Sequence, residues 1–540
     1  MALGLKNGGR IAMEKLFKFL AVALVILTAV SCEKDEKILN ETSEESCVTL
    51  TAFTSDEETK TSFVKYSSSY YTYWSKGDKI AVIQNGNKFE FTLVGGADSK
   101  IGTFMGTNLS GFNASEGFIA FYPYESVRLE DSKIVYSHNV VEQNFVDDGI
   151  GVTVPMAAVV GAGSKSFTFK YLMGILKLNI KGASDETVTS INIGSSTYRL
   201  YGEASLNTND SSNPYLNFIR TTTEYPTNIT LKCSGSGVCI GEDGKSFFIV
   251  LPTTASNLSL NTFGILVNTS KGSYFMPNSS NGNIKLGRIL SMNIDLENGT
   301  PRSRASLSVG YSENSTYYGD GVLIGRALWA PVNCGYKPAE GSDKGYPYGK
   351  YYQWGRKNGN GYDDNTDASS YSVNTATTPS ASSLSSGSEF YIWWTNLYEN
   401  FKYAWSTNTS YNPDGFKYIP CPEGWELPSE EEMKALYNGN KSGFTVKNNQ
   451  NGYWFSGDKA FDSENLGSSV FFPAAGQIYN NRTNYEAKYR GSNGYYWTSS
   501  VSQTKCFLSF TETQVKTDYV FPYDAYSVRC VKSKKLTSNL

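Results

Sequence analysis

Short runs of aromatic and β-branched residues, broken by Gly, Asn and Ser, are the feature that most limits how this chain can fold. In residues 88–93, apolar and polar side chains alternate as they do in a strand with one buried face. Turn sequences such as 76–78 (KGD) and 85–87 (NGN) separate such runs. With 38 Tyr, 29 Phe and 50 Gly, the chain favours short strands over long helices. The pattern predicts a mainly β protein.

Length, charge and histidine content further limit the architecture and the partners that this chain can have. A chain of 540 residues predicts about three domains. The 48 Lys and Arg against 51 Asp and Glu give a net charge of −3 without a long basic run, so we expect no nucleic acid partner. His138 is the only histidine, which excludes a histidine-rich zinc site. We expect His138 to be a strand or loop residue rather than a catalyst.

The N-terminus has the order of a signal peptide. Lys15 and Lys18 precede an apolar run at 20–30, which is shorter than the ~20 residues that a membrane-spanning helix needs. Met13 is an alternative start to Met1, because the sequence from Met13 is a more ordinary opening. The sequence therefore predicts export of the chain.

Cys32 follows three small residues at 29–31, a pattern that resembles a bacterial lipobox. The resemblance implies a lipoprotein signal peptide at 1–31, lipidation of Cys32 and a tether at 32–46. The charged run that follows Cys32 resembles the export signal of surface lipoproteins in Bacteroidota, which implies the exposed face of the cell outer membrane. The alternative to a lipobox is an ordinary signal peptide with a coincidental cysteine. The alternative to an export signal is a solvated linker.

An exported chain permits disulfides. Cys233 and Cys239 flank a turn-like SGSGV segment, so a bridge that closes a hairpin is one prediction. Cys47 has no evident partner. Four cysteines of the last third are enough for two bridges, but the sequence leaves their pairing open: Cys334, Cys421, Cys506 and Cys530.

Strand patterns from residue 47 onwards predict two β-sandwich units, at 47–165 and 166–298. Six segments in this region together resemble the fimbrillin family of Bacteroidota pilus subunits. The resemblance is carried by 61–63 (TSF), 74–80 (WSKGDKI), 118–124 (FIAFYPY), 155–157 (PMA), 174–178 (GILKL) and 287–290 (GRIL).

The fimbrillin resemblance implies assembly rather than chemistry. Such subunits are exported as lipoproteins, trimmed near the N-terminus by an Arg- or Lys-specific protease, and joined to other pilus subunits by strand donation, a form of β-augmentation. Lys60 is a candidate processing site, and the alternative is that it is an ordinary turn residue. Trp74 is expected to cap a sandwich core.

Residues 299–320 are rich in Ser, Gly and Asn without a sustained period, which predicts an interdomain linker. Beyond it, only 428–437 has a helical pattern. Ser429 is a natural N-cap and Glu432 completes a capping box. The apolar residues expected to face the core are Leu427, Met433 and Leu436.

The region 321–534 resembles the major paralogous domain of Fibrobacter succinogenes. The segments that carry this resemblance are 329–335, 349–355, 421–429, 471–476, 494–500 and 527–531. It implies a C-type-lectin-like α+β domain, related to formylglycine-generating enzymes, after the two fimbrillin-like sandwiches. Cys506 and Cys530 stand 24 residues apart on predicted strands, which suits a bridge better than the closely spaced catalytic pair of those oxidases. We therefore expect no enzyme.

Calcium-dependent sugar binding of the C-type lectin kind needs a Glu-Pro-Asn or Gln-Pro-Asp triplet and a Trp-Asn-Asp triplet, and neither occurs in the sequence. We predict no cofactor, and a structural Ca²⁺ held by backbone and carboxylate oxygens stays open.

A segment at 477–497 has the Tyr, Asn, Gly and Arg composition of a binding loop. Trp497 within it is expected to be buried. A second candidate loop is 357–398, where one of two consecutive tryptophans points outwards. The predicted ligand contacts are Tyr479, Arg482, Tyr485, Tyr489, Arg490 and Trp394.

These features favour a surface-exposed lipoprotein at a pilus tip that adheres to a host or microbial glycan or glycoprotein. A whole domain after the fimbrillin-like units suits a terminal subunit. One alternative is a surface lipoprotein that does not polymerise. A surface glycan-processing enzyme is another, but we find no pair of carboxylates at a compelling site.

Overall fold

In the computed structural model, β-strands make up most of the regular structure of the described residues. Among the described residues, no helix has the length and apolar character of a transmembrane helix. The structure describes residues 47–54, 62–66, 69–138, 141–195, 198–218, 228–253, 257–277, 282–297, 307–308, 310–343, 345–361, 373–374, 390–391, 405, 419–437, 441–456, 469–480, 485–501, 505–520 and 524–532.

The first third is built of strands, as the alternating pattern predicts. Its strands are Val48–Phe53 (β1), Ser62–Tyr66 (β2), Ser69–Tyr73 (β3), Lys79–Gln84 (β4), Asn87–Gly95 (β5), Ile101–Gly106 (β6), Phe118–Tyr122 (β7), Val127–Glu130 (β8), Lys133–His138 (β9), Glu142–Asn144 (β10), Met156–Val160 (β11), Ser166–Thr168 (β12) and Lys170–Tyr171 (β13). His138 ends strand β9, which confirms its predicted structural place.

The first sheet nearly closes on itself. Its order is β12-β1-β6-β5-β4-β7-β11-β13, and the two end strands β12 and β13 are separated by Phe169 alone. Phe169 donates its backbone N–H to Phe53 O at 2.9 Å, so one bent segment joins both ends of the sheet. Trp74 fills the centre, fully buried, with its Nε1 donating to Ala52 O at 3.3 Å. The predicted core role of Trp74 is confirmed.

The second third contains the strands of a sandwich. They are Gly174–Lys181 (β14), Thr187–Ser195 (β15), Gly202–Asn207 (β16), Tyr215–Phe218 (β17), Asn228–Lys232 (β18), Val238–Cys239 (β19), Lys245–Leu251 (β20), Leu258–Ser259 (β21), Phe263–Thr269 (β22), Gly272–Pro277 (β23), Asn283–Ile284 (β24), Ile289–Asp295 (β25) and Leu307–Ser308 (β26).

Sheet membership crosses the boundary predicted at residue 165. Strands β12 and β13 complete the first sheet, whereas β10 pairs with β18 in the sheet β10-β18-β15-β22-β23-β26. Strands β8 and β9 form a separate sheet with β16 and β17, in the order β17-β16-β9-β8. Strands from both sides of residue 165 therefore pair in the same sheets, so a boundary at this residue does not separate two units.

The small sheet β20-β14-β25 is a wall that two cores share. In β20, Phe248 and Val250 face the core of the first third, whereas Phe247 and Ile249 face the core of the second. A strand buried on both faces reads as a continuous apolar run, which explains the sequence FFIVL. Its outer edge is covered by Gln143, whose amide pairs with the N–H and C=O of Val250 at 2.9 and 2.8 Å.

The remaining elements form the last third of the chain. They are Gly310–Glu313 (β27), Thr316–Asp320 (β28), Val322–Ile324 (β29), Ala327–Trp329 (β30), Lys350–Gln353 (β31), Asn360–Gly361 (β32), Val373–Asn374 (β33), Phe390–Tyr391 (β34), Glu430–Tyr437 (α1), Lys441–Lys447 (β35), Gln450–Ser456 (β36), Ser469–Pro473 (β37), Gln477–Asn480 (β38), Tyr485–Lys488 (β39), Gly494–Val501 (β40), Lys505–Phe510 (β41), Val515–Val520 (β42), Ala525–Ser527 (β43) and Val531–Lys532 (β44).

The described part of the last third, from residue 310 on, is α+β and is called the C-terminal module below. Its main sheet runs β32-β31-β43-β40-β41-β42, and the hairpin β38–β39 joins it through β43. Helix α1 is the one α-helix among the described residues, so the chain is mainly β, as predicted. The finer C-type-lectin-like assignment stays a prediction.

The predicted linker at 299–320 contains a hairpin, β27–β28. Asn314 and Ser315 at its tip both have positive φ, as a tight two-residue turn requires. Tyr311 is fully buried, and its ring meets Trp425 edge-on at 5.0 Å. The composition misled the prediction, because one buried tyrosine anchors an otherwise polar segment.

Helix α1 begins as the sequence predicts. Glu432 donates its backbone N–H to Ser429 Oγ at 3.2 Å, and Ser429 N donates back to the Glu432 carboxylate at 2.8 Å. This confirms the capping box. Leu427, Met433 and Leu436 are all buried, which confirms the predicted core-facing side.

The C-terminal module is joined closely to the second sandwich. Leu266 of β22 packs into the core of this module, while its neighbours in the strand face the sandwich core. Gly194 lies so close to the 323–326 turn that a Cβ would stand 1.9 Å from Gly325 O. Asn228 is buried and donates to Leu323 O at 2.6 Å while it accepts from Gly325 N at 3.2 Å.

Substitution Asn228→Ala should lower the free energy of unfolding by about 1–3 kcal/mol, because it leaves a buried carbonyl and a buried N–H without partners. Equilibrium unfolding in urea measures the effect. Exposed Asn213→Ala, whose amide donates to Asp210 at the surface, is the control and should change little. Equal stability of both variants would contradict this role of Asn228.

Candidate ligand-binding surface

The hairpin β38–β39 presents one side to the core and one to solvent. Ile478 is fully buried and lies opposite Ala525 of β43, whereas Tyr479, the next residue, is 36% exposed. Side chains alternate between the two faces of a strand, so the buried Ile478 fixes the outward direction of Tyr479. Glu486 lies opposite Tyr479 in the register, and Lys488 lies opposite Gln477.

The turn that follows the hairpin is held in one conformation. Tyr489 has φ of 66°, and its carbonyl accepts the N–H groups of Ser492 and Asn493 at 3.2 and 2.9 Å. Gly491 makes two hydrogen bonds with neighbouring segments. Its N–H donates to Ala474 O at 2.7 Å, and its carbonyl accepts the side-chain amide of Asn451 at 2.7 Å. Tyr489 is 52% exposed. Because these hydrogen bonds fix the backbone of the turn, Tyr489 is presented to solvent from a preorganised position.

A glycine allows the turn to approach the neighbouring backbone. A Cβ on Gly476 would lie 2.3 Å from Lys488 O and 2.6 Å from Arg490 N, and the φ of Gly476 is positive. Gly476 also donates its N–H to Asn493 O at 2.8 Å. Only glycine fits there, so this position brings the start of β38 against the turn.

Two cations lie over tyrosine rings in this region. Lys488 Nζ is 4.3 Å from the ring centroid of Tyr479, and the Arg490 guanidinium is 4.4 Å from that of Tyr348. Such contacts are attractive because the face of an aromatic ring carries negative charge density. Each ring therefore holds the head of a long cationic side chain at a defined position.

Tyr489 also connects the surface to the core. Its ring lies 6.4 Å from that of Tyr495, which stacks on Tyr526 at 5.4 Å, and Tyr526 in turn stacks on buried Trp497 at 4.3 Å. Asn493 donates to the Tyr495 hydroxyl at 3.0 Å. Burial raises the pKa of Tyr495, so its hydroxyl stays neutral and keeps a proton to donate.

We call this surface the tyrosine face, defined by Tyr348, Tyr479, Lys488, Tyr489, Arg490 and Tyr495. It combines exposed aromatic rings with hydrogen-bond donors and positive charge. Such a surface can stack on a ring of a ligand and bind its oxygen atoms.

Arg529 supports the segment from which the tyrosine face starts. It is 1% exposed and donates to Phe471 O, Asn333 Oδ1 and Ala330 O at 2.7, 2.8 and 2.9 Å. Its guanidinium also lies 4.5 Å from the ring of Phe472. Burial lowers the pKa of Arg529 to about 10, which leaves it charged at neutral pH.

The structure brings together most of the predicted contact residues that it describes. Tyr479, Tyr489 and Arg490 lie on the tyrosine face, Tyr485 begins strand β39, and Trp497 is buried as predicted. Sequence reasoning missed Tyr348 and Tyr495. The sequence around 346–352 (YPYGKYY) has the same tyrosine-rich character and was the available signal. Predicted positions that lie outside the described residues are Cys32, Lys60, Arg482 and Trp394.

One predicted pairing of cysteines differs in the structure. Cys233 and Cys239 are free thiols, because Cys233 lies partly buried against the second core while Cys239 is exposed and reaches Ser184 O at 3.5 Å. The turn SGSGV therefore forms without a bridge.

In the C-terminal module, Cys421 and Cys530 form a disulfide. Cys334 and Cys506 remain buried free thiols, so the bridge expected between Cys506 and Cys530 is not formed. The bonded pair flanks the backbone pairing of Glu426 with Val531, and this pairing brings the two distant segments together.

A buried polar cluster surrounds Cys334. The Tyr352 hydroxyl donates to its sulfur at 3.2 Å, and the thiol lies 3.1 Å from Pro420 O. Glu313 accepts the N–H of Gly335 at 2.6 Å. Burial raises the pKa of the Cys334 thiol, which keeps it protonated and a poor nucleophile.

Burial also raises the pKa of Glu313, against the opposing effect of the Gly335 N–H. The folded protein then binds this proton more tightly than the unfolded chain, so stability should fall as pH rises from the ordinary glutamate range through the raised pKa. We expect Glu313→Gln to remove this part of the pH dependence. The free energy of unfolding of both proteins, measured at about pH 4 and about pH 8, checks it. If the free energy of unfolding changed by the same amount between the two pH values in both proteins, this role of Glu313 would be contradicted.

The described residues offer little for a metal ion or a buried substrate. No three His, Cys, Asp or Glu side chains among them group as metal ligands would, and the structural Ca²⁺ stays a prediction. A cleft of about 750 Å³ opens in the first third between the end of β4 and the β8–β9 hairpin. Its charged lining residues are Glu130 and Asp131.

Comparison with known proteins gives a partial match. A family model described as a domain of unknown function, DUF8237, matches residues 439–531, which include the hairpin β38–β39 and the turn at 489–493. No curated protein matches the chain.

Several solved structures are similar to about half of the chain. A candidate cell adhesion protein of Bacteroides ovatus is 15% identical over 47% of this chain and 94% of its own, with a TM-score of 0.31. A candidate cell adhesion protein of Bacteroides uniformis is 16% identical over 46% and 94%, with a TM-score of 0.30. The tip fimbrial protein Mfa3 of Porphyromonas gingivalis is 9% identical over 45% and 84%, with a TM-score of 0.23. Cell adhesion and fimbrial tip proteins are thus among the structures similar to this chain, at TM-scores that carry no argument about function.

Proposed function

We propose that the protein is a surface-exposed adhesin that binds a glycan or a glycoprotein through the tyrosine face. The observation that carries the proposal is the pair of exposed rings, Tyr479 and Tyr489, beside Lys488 and Arg490 on a preorganised turn. Tyrosine offers a broad face and a hydroxyl at a low cost in side-chain entropy. The apolar C–H face of a sugar ring can stack on such a surface.

The supporting structure favours recognition by a rigid surface. The turn at 489–493 is fixed by its own hydrogen bonds and by Asn451, and Ile478 anchors the hairpin. A preorganised surface loses less conformational entropy on binding, which favours affinity.

The double substitution Tyr479→Ala, Tyr489→Ala should weaken binding by about tenfold or more, since aromatic residues dominate such contacts. A glycan array followed by titration of the strongest ligand measures this. Tyr519→Ala is the matched control, because Tyr519 is 45% exposed on β42, at the far edge of the same sheet. Equal binding by the wild type and the double variant, with equal thermal stability, would contradict the assignment of ligand binding to the tyrosine face.

The proposal includes the lipid anchor at Cys32 and a location on the outer membrane. Cys32→Ala should move the protein from the outer membrane fraction into the soluble fraction, because one acyl-bearing residue supplies the attachment. Fractionation followed by immunoblotting measures this, and unchanged membrane association would count against the anchor.

We further propose that the protein joins a pilus at its tip by strand exchange. Strand β1 lies between β6 and β12, with Leu50 and Ala52 buried, and Lys60 follows it in the chain. Cleavage at Lys60 would leave β1 held by noncovalent contacts alone. Its departure would open the sheet to a strand from another subunit.

Treatment of the exported protein with an Arg- or Lys-specific protease tests this step. We expect a cut after Lys60, seen by N-terminal sequencing, and co-purification of the shortened chain with sheared pili. Lys60→Ala should prevent both. If the wild type remains uncut on cells and absent from pili, the alternative of a non-polymerising surface lipoprotein is supported. In that case β1 would stay in the first sheet, between β6 and β12.

A further inference from the structure

Lys488 and Arg490 bring positive charge to the tyrosine face. Both side chains are hydrogen-bond donors without an acceptor. Asp524, whose charge acts on Tyr495, is 8% exposed and accepts the Tyr526 hydroxyl at 3.3 Å. A ligand that pairs with the two cations must supply acceptor oxygens.

The cations are also placed for contact with a ligand. Lys488 lies over Tyr479 and Arg490 over Tyr348, on the two sides of Tyr489 along the chain. A ring that stacks near Tyr489 would carry its substituents towards positive charge.

We propose that the tyrosine face selects acidic glycans, in which carboxylate or sulfate groups pair with Lys488 and Arg490 while a sugar ring stacks on Tyr489. This inference rests on the proposed function and narrows its ligand. Charge-assisted hydrogen bonds are stronger than neutral ones, and a guanidinium pairs well with planar or multidentate oxygen groups. A neutral glycan would leave these donors facing hydroxyl groups that are weaker acceptors.

Four defined probes test the selection with the full chain. Dextran is neutral, dextran sulfate carries sulfate on the same backbone, hyaluronan carries carboxylates, and polyglutamate carries carboxylates without a sugar. We expect binding to dextran sulfate or hyaluronan at least about tenfold tighter than to dextran or polyglutamate. The comparison of hyaluronan with dextran sulfate tells whether carboxylate or sulfate is the preferred group.

Substitutions locate the selection on the surface. Arg490→Gln and Lys488→Gln should each weaken binding of the acidic probe by about tenfold. Lys271→Gln is the control, because Lys271 pairs with Asp185 in the second sandwich. Raising NaCl from about 50 to about 500 mM should weaken wild-type binding without any substitution, which tests the role of charge even if a variant unfolds.

The outcomes separate this inference from the proposed function. Tighter binding to dextran than to the acidic probes would overturn the selection while it supports a glycan-binding face. Equal binding to polyglutamate and hyaluronan would show that charge alone is recognised and would also overturn it. Failure to bind all four probes would overturn the selection, and the glycan array would then judge the adhesin function separately.

Discussion

Substitution of Arg529 by methionine should lower the free energy of unfolding by about 3–5 kcal/mol, because three buried oxygen atoms lose their donor at once. These acceptors belong to Ala330, Asn333 and Phe471, which come from two segments far apart in the sequence. Methionine keeps much of the volume and removes the cost of burying the guanidinium, so the loss stays below the sum of three hydrogen bonds. Unfolding in urea, followed by tryptophan fluorescence, measures the change.

Two further variants show whether the hydrogen-bond geometry carries the effect. Arg529→Lys keeps the charge but lacks the planar fork, so its loss should fall between wild type and Arg529→Met. Arg128→Met removes an exposed arginine that pairs with Glu130 and Glu203 at 2.8 and 2.9 Å, and should cost about 1 kcal/mol or less. If Arg529→Met matched Arg128→Met, the buried network would not hold the module together.

Removal of the Cys421–Cys530 disulfide by the double substitution to alanine should cost about 2–5 kcal/mol, since the bridge closes a loop of 109 residues and restrains the unfolded chain. The folded contacts around it should persist, because the pairing of Glu426 with Val531 brings the same segments together. Denaturant titrations of wild type with and without reductant, beside the double variant, measure the loss.

Cys239→Ala is the control for this experiment, because Cys239 is an exposed free thiol. Its stability should equal that of wild type, and reductant should not affect the double variant. A further loss of stability in reductant for the double variant would mean that another bridge stabilises the chain.

Local features of this protein followed from local sequence. Alternation at 88–93 predicted strand β5, and the capping box at Ser429 and Glu432 predicted the start of α1. Both depend on interactions between residues close in the chain, which a sequence pattern reports directly. The tyrosine-rich composition at 477–497 likewise pointed to a surface segment, in which Tyr479 and Tyr489 are exposed, and its role in binding stays a prediction.

Pairings between distant segments were beyond the reach of the sequence. Four cysteines in the last third allow several bridges, and the choice of Cys421 with Cys530 depends on which strands meet. Residues 166–171 complete the first sheet rather than begin the second unit. Tyr311 gives the polar segment at 299–320 a buried anchor, which composition alone does not reveal.

The sequence by itself determined the mainly β class, the capped start of helix α1 and the presence of a tyrosine-rich candidate surface. Only the tertiary structure decided how the cores share walls, which cysteines are bonded, and that Tyr348 and Tyr495 join Tyr489 on one face. The physical reason is that strand periodicity and capping are local, whereas sheet order, burial and ring contacts arise between residues tens to hundreds of positions apart.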